Sequence, residues 1–121
     1  MGINYNVNEE KGVCVIDTAP LIKAIASEIL EGKEKGYIAG KFHTTVARIM
    51  IDISLRLSRS TGLGQVALSG GVFQNLLVLD KVVTGLEKEG LKPLIHHQVP
   101  PNDGGIALGQ ALIAAKVADK V

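Results

Sequence analysis

The sequence predicts an α/β fold in which a short parallel βαβ unit packs with long helices. Three observations predict it. Val66, Ala67 and Leu68 form a short apolar run that reads as a buried strand. Ser69, Gly70 and Gly71 follow it at once, and a long amphipathic stretch begins after them. Beyond that stretch, Leu91 to Ile95 reads as another short strand, with Pro93 arguing for an edge or a strand start. A strand, a helix and a strand with a short return make the two strands parallel.

Composition bounds the function classes. The chain has 121 residues, enough for one modest domain over 1–121. With 46% apolar and 21% charged residues it reads as globular. A net charge of +1 and only 3% aromatic residues give no case for nucleic acid or an anionic membrane as partner. Cys14 is the only cysteine, which excludes an intramolecular disulfide and a cysteine metal cluster. No uninterrupted apolar stretch is long enough to span a bilayer. The start, MGINYNVNEE, is polar and does not read as a signal peptide. A soluble, cytoplasmic protein is the expectation.

The elements follow in order. Residues Met1 to Glu10 read as irregular. Val13 to Ile16 reads as a short strand closed by Asp17, with Cys14 as a buried small hydrophobe. Asp17 or Thr18 can cap a helix that carries Pro20 in its first turn. Leu21, Ile22, Ile25, Ile29 and Leu30 form its apolar stripe, Gly32 ends it, and Lys33 to Gly36 reads as a loop. A longer helix starts near Tyr37, with Ile38, Phe42, Val46, Ile49, Ile53 and Leu57 facing the core. Arg48, Arg56 and Arg59 read as a solvated face. Gly62 and Gly64 break this helix. A third helix is expected from Val72 to Glu89, with Leu76, Leu77, Val82, Val83 and Leu86 on its apolar face and Gly90 as its stop. His96 and His97 read as surface residues, because neighbours on a strand point to opposite faces and do not easily share a metal. The last helix carries Ile106, Leu108, Leu112, Ile113 and Val117 among many small residues.

Two turns are candidates for chemistry. Ser69 to Gly71 follows one strand of the unit and Asn102 to Gly105 follows the other. Ligands of parallel sheets bind beyond the carboxyl ends of strands, so both turns belong on one rim. Glycines let a ligand approach the backbone, and a helix start favours an anion such as phosphate. A plain structural turn remains equally open at 69–71. Asp103 reads on pattern alone as a helix cap, and otherwise as an oxygen ligand for a divalent cation.

VALSGGVFQN, followed by VPPNDGGIALGQA after one helix and one strand, resembles the C-terminal region of the HypF-type carbamoyltransferases that mature [NiFe] hydrogenases. FHTTVA at 42–47 and IDTAPLI with Asp17 and Pro20 fit the same pattern. The resemblance implies a TsaD-like domain within the actin/Hsp70/sugar-kinase fold, of which this chain would be a partial, C-terminal lobe. It implies transfer of a carbamoyl group from carbamoyl-adenylate, made from carbamoyl phosphate and ATP, to the C-terminal cysteine of a HypE-type partner. It places Ser69, Gly70, Gly71, Asn75, Gly104 and Gly105 at an ATP or AMP site and Asp103 on a divalent metal. His43 is then either a cleft residue or a helix histidine satisfied by a nearby carbonyl. The family's metal site also uses an HxxxH pair. None of His43, His96 and His97 has that spacing, so the metal site reads as incomplete in this chain. There is also no room for the acylphosphatase-like, zinc-finger and YrdC-like parts of the complete enzymes. An isolated lobe with bare strand edges is expected to self-associate and to be inactive alone. The competing readings are another ATP-binding enzyme of the same fold, a sugar kinase or a tRNA threonylcarbamoyl transferase, and a noncatalytic dimerisation module.

Overall fold

A computed structural model describes residues 2–120. The chain gathers into two compact units, Met1–Leu63 and Gly64–Val121. Among the described residues, no helix is long and apolar enough to cross a membrane.

The first unit opens with an antiparallel hairpin that the sequence reading missed. Strand β1 (Asn6–Glu10) pairs with β2 (Val13–Asp17), Asn6 opposite Asp17 and Glu10 opposite Val13. Asn6–Glu10 of the polar stretch is therefore a strand, residues 2–5 are irregular as expected, and Met1 lies outside the described residues. Lys11 (φ 52°) and Gly12 (φ 78°) both take positive φ, which a two-residue turn of the kind that matches strand twist requires. Polar side chains hid the strand, since a two-stranded hairpin needs only one covered face. For the same reason Cys14 is half-buried rather than fully buried, and Val13 lies 60% exposed.

Helix α1 (Ala19–Leu30) begins after Thr18, with the Ala19 N–H donating to Asp17 Oδ1 at 2.9 Å and Pro20 in the first turn. It ends as expected at Gly32. The Gly32 N–H donates to the Ile29 carbonyl and the Lys33 N–H to the Glu28 carbonyl, the paired bonds of a glycine helix stop. Its buried face differs from the expected stripe. Leu21 and Glu28 are buried, whereas Ile22, Ile29 and Leu30 are exposed. An ion pair turns the helix this way: Glu28 Oε1 accepts a short hydrogen bond from Lys41 of the next helix.

Helix α2 (Lys35–Thr61) starts two residues before Tyr37, so Lys35 and Gly36 are helical rather than loop. Ile38, Thr45 and Ala47 are its buried residues, while Phe42 and Leu57 of the expected stripe are exposed. Thr45 reaches the segment before the hairpin by accepting the Ile3 N–H at 2.8 Å. Gly62, at φ 75°, closes the helix with its N–H on the Ser58 carbonyl.

The second unit is the expected parallel pair around a helix. Strand β3 (Gln65–Ala67) pairs with β4 (Lys92–Leu94), Val66 opposite Pro93 and Ala67 opposite Leu94. Helix α3 (Leu76–Lys88) lies between them in sequence. It does not start at Val72. A 3-10 turn over Gly71–Gln74 comes first, and Asn75 restarts the chain as the cap of α3. The later start sets the packing face. Val78, Val82 and Leu86, four residues apart, are buried with Leu68, Phe73 and Leu91, whereas Leu76 and Leu77 are exposed on the first turn. Gly90 stops the helix as expected, its N–H on the Glu87 carbonyl and the Leu91 N–H on the Leu86 carbonyl. A second 3-10 turn, Asp103–Gly105, leads into α4 (Ile106–Ala118), none of whose residues is buried.

Candidate functional site

The two glycine-rich turns are joined by a backbone hydrogen bond: the Gly70 N–H donates to the Pro101 carbonyl at 2.8 Å. The parallel ladder brings them together. Leu68 continues the pairing through its N–H to the Leu94 carbonyl, and each chain then leaves its strand on the same side. Gly70 turns with φ 110° and ψ 159°, a conformation a side chain would strain. Its carbonyl accepts the Phe73 N–H, and buried Phe73 anchors the turn from below. At Gly71 an added Cβ would meet nothing within 4 Å, so the backbone there is open to a ligand.

Asn75 is the N-cap of α3. Its Oδ1 accepts from the Leu77 N–H at 3.1 Å and the Val78 N–H at 3.3 Å. In the second turn the cap is Asn102, whose Oδ1 accepts the Gly104 N–H at 2.9 Å. This corrects the pattern reading that made Asp103 the cap: the residue one place earlier has the extended backbone a cap needs. Asp103 is exposed, and among the described residues no hydrogen bond reaches its carboxylate. Gly105 is required by close approach, because a Cβ there would lie 2.8 Å from the Pro100 carbonyl oxygen.

His96 joins this rim, although its sequence position suggested only a surface histidine. Its Nε2 lies 2.8 Å from Ser69 Oγ, while the residue itself stays exposed. The signal was present in the strand register. Ser69 and His96 stand two places beyond the paired Ala67 and Leu94.

His43 lies in the first unit. Its Nδ1 is 2.7 Å from the Ala39 carbonyl oxygen one turn back. A carbonyl only accepts, so Nδ1 carries the proton. The Phe42 ring stands edge-on, 6.1 Å between centroids at 89°. Both line a groove of about 260 Å³ with Ile25, Ile29 and Ile38. Arg48 and Arg56, expected on a plain solvated face, line a polar cleft of about 250 Å³ with Tyr5 and Asp52. Asp52 accepts from Arg56 Nε at 3.0 Å and from the Tyr5 hydroxyl at 3.3 Å. Burial, then the charge of Asp52, pushes the Tyr5 phenol above its ordinary pKa.

Among the described residues no three His, Cys, Asp or Glu side chains group to hold an ion. Asp103 offers one carboxylate, where hard divalent cations take six or more oxygens.

The family described as "Carbamoyltransferase, Kae1-like Domain, second subdomain" matches residues 2–110. Over 105 residues the chain is 42% identical to the carbamoyltransferase HypF of Synechocystis sp., covering 87% of this chain and 13% of that protein. It is 28% identical over 98 residues to a probable carbamoyltransferase HypF of Methanocaldococcus jannaschii, covering 81% of this chain and 13% of that one. The structure is similar to full-length HypF crystallised in a phosphate- and nucleotide-bound form, with a TM-score of 0.92 and 38% identity over 96% of this chain and 15% of the other. HypF of T. kodakarensis gives a TM-score of 0.78 at 29% identity, over 97% of this chain and 15% of that chain. The chain thus spans about an eighth of the length, 13%, of the first of the curated relatives it matches.

Proposed function

The chain belongs to the HypF carbamoyltransferase family, as the second subdomain of the Kae1-like domain, and from that premise we propose that it is one lobe of a nucleotide-binding site in an actin-like transferase fold. The reaction is transfer of a carbamoyl group from carbamoyl-adenylate, made from carbamoyl phosphate and ATP, to the C-terminal cysteine of a HypE-type protein. The partner's thiolate attacks the carbamoyl carbon, the bond from that carbon to the phosphate oxygen breaks, and AMP leaves with the electron pair. In the family's reaction the attacking sulfur belongs to the partner, and the one cysteine here, Cys14, is half-buried in the hairpin of the first unit.

One observation carries the reading: the Gly70 to Pro101 hydrogen bond that holds two glycine-rich turns on a single rim. Gly71 offers backbone without a side chain in the way, Ser69 offers a hydroxyl, and Gly104 and Gly105 let the second turn pass close to Pro100. Asn75 shapes the start of α3, whose N–H groups and dipole favour a phosphoryl oxygen nearby. These residues position a nucleotide rather than perform covalent chemistry. A relative of TM-score 0.92 was solved with phosphate and nucleotide bound, which supports the assignment by likeness. Asp103 contributes at most one ligand to a metal completed from elsewhere. The family match favours this reaction over a sugar kinase or a tRNA threonylcarbamoyl transferase. A second reading, an interaction module, draws on the uncovered apolar side chains of α4.

Gly71→Ala tests the proposal cleanly. Asn75→Ala is a poorer probe, since losing the cap alone costs about 1 kcal/mol. Gly71 is not at positive φ and its added methyl group meets open space. In a full-length carbamoyltransferase carrying this sequence as its second subdomain, Gly71→Ala is expected to leave the melting temperature unchanged. It should weaken AMP binding about tenfold by titration calorimetry, equivalent to about 1.4 kcal/mol. Unchanged affinity at unchanged melting temperature sinks the reading.

A further inference from the structure

We propose that His96 is a positioning residue that turns the Ser69 hydroxyl into a hydrogen-bond donor for a phosphoryl group held between the two glycine-rich turns. This rests on the nucleotide reading above and deepens it. The register places Ser69 and His96 side by side at the open end of the parallel pair, with Nε2 at 2.8 Å from Oγ. The backbone N–H of the next residue, Gly70, is engaged by the Pro101 carbonyl. The Ser69 hydroxyl is therefore the side-chain donor available at this point of the turn, beside the open backbone of Gly71.

A hydroxyl has one proton to give and two lone pairs to offer. When Nε2 carries its lone pair, it accepts the hydrogen bond of the Ser69 O–H, and Oγ presents only lone pairs to the ligand, which repel a phosphoryl oxygen. When Nε2 carries the proton, the imidazole donates to Oγ, and the Ser69 O–H turns toward the ligand. Histidine tautomers are set by such second partners. The tautomer of His96 thus decides whether Ser69 attracts or repels an anion. The joined turn makes the choice matter, because its charged group, Asp103, is itself anionic. His97 does not substitute for His96: among the described residues it makes no hydrogen bond.

The test is a double-mutant cycle on the same full-length protein, with AMP as the probe. Ser69 and His96 are both exposed, so their alanine variants are expected to keep the wild-type melting temperature. Ser69→Ala and His96→Ala should each weaken AMP binding about three- to tenfold. His96→Ala should have less than about a twofold effect in the Ser69→Ala background, because it acts through that hydroxyl. In histidine-15N spectra, AMP should move the His96 Nε2 resonance toward the protonated form. Full additivity of the two substitutions, or a His96 nitrogen that AMP does not move, overturns the proposal. If Ser69→Ala weakens binding and His96→Ala does not, the positioning role falls and the nucleotide site stands. If neither Ser69→Ala nor Gly71→Ala weakens binding, the site reading falls, and this inference with it.

Discussion

Thr45 has no solvent exposure, and its hydroxyl works in both directions. It donates to the Lys41 carbonyl at 2.7 Å and accepts the Ile3 N–H at 2.8 Å, 42 residues away. Thr45→Val keeps the size and removes both bonds, leaving a buried backbone N–H without a partner. The expected loss is about 1–3 kcal/mol in urea unfolding, while Thr45→Ser, which keeps the hydroxyl, should lose clearly less. Equal losses in the two variants would show that packing, not the hydroxyl, matters there. The sequence presented Thr45 only as a letter of FHTTVA, because nothing near it announces Ile3 as its partner. Asn75 was more legible as a residue with a role. That role was a nucleotide contact inside a helix expected from Val72; its capping role appears only with the later helix start at Leu76.

Helices α1 and α2 are held by a charge that the apolar pattern did not reveal. Lys41 bonds to Glu28, and Lys33 stands 3.5 Å from the same oxygen. The hydrogen bond from Lys41, with the charges of both lysines, holds the Glu28 carboxyl below its ordinary pKa despite burial. A lowered folded-state value means the unfolded chain binds the proton more readily. The stabilisation is present above the ordinary glutamate value, about pH 4.3, and is lost as pH falls through the lower folded value. Acid unfolding followed by far-UV circular dichroism between pH 6 and pH 2 should therefore show a stability decline below roughly pH 4.3. That decline should be shallower in Glu28→Gln, and identical slopes would remove Glu28 as its source. Lys41→Met should cost more stability than Glu28→Gln, since it leaves a buried carboxylate whose Oε2 already lacks a partner among the described residues.

At the scale of the molecule, exposed apolar surface dominates. Ile106, Leu108, Leu112, Ile113 and Val117 of α4 are each 53–66% exposed. Among the described residues each sheet has two strands, so every strand has an open edge. Surface of this kind is covered by other protein or drives association. The isolated chain is expected to self-associate in light scattering, and Leu112→Glu with Ile113→Glu should shift it toward monomer. A monomer at high concentration without those changes contradicts this.

What the sequence by itself determined is local. The helix stops at Gly32, Gly62 and Gly90 and the strand–turn–helix order of the second unit follow from backbone preferences acting within a few residues. The Kae1-like family membership was legible too, because each of its two glycine-rich motifs is an unbroken run of residues, 66–75 and 99–111. Only the tertiary structure decided which face α1 buries, that Asn102 rather than Asp103 caps the second turn, and that Ser69 meets His96. The helix face and the Ser69–His96 pair depend on groups far apart in sequence, and the cap depends on the backbone angles of one residue. Periodicity registers how often apolar residues recur, and it carries no information about which distant atom stands opposite.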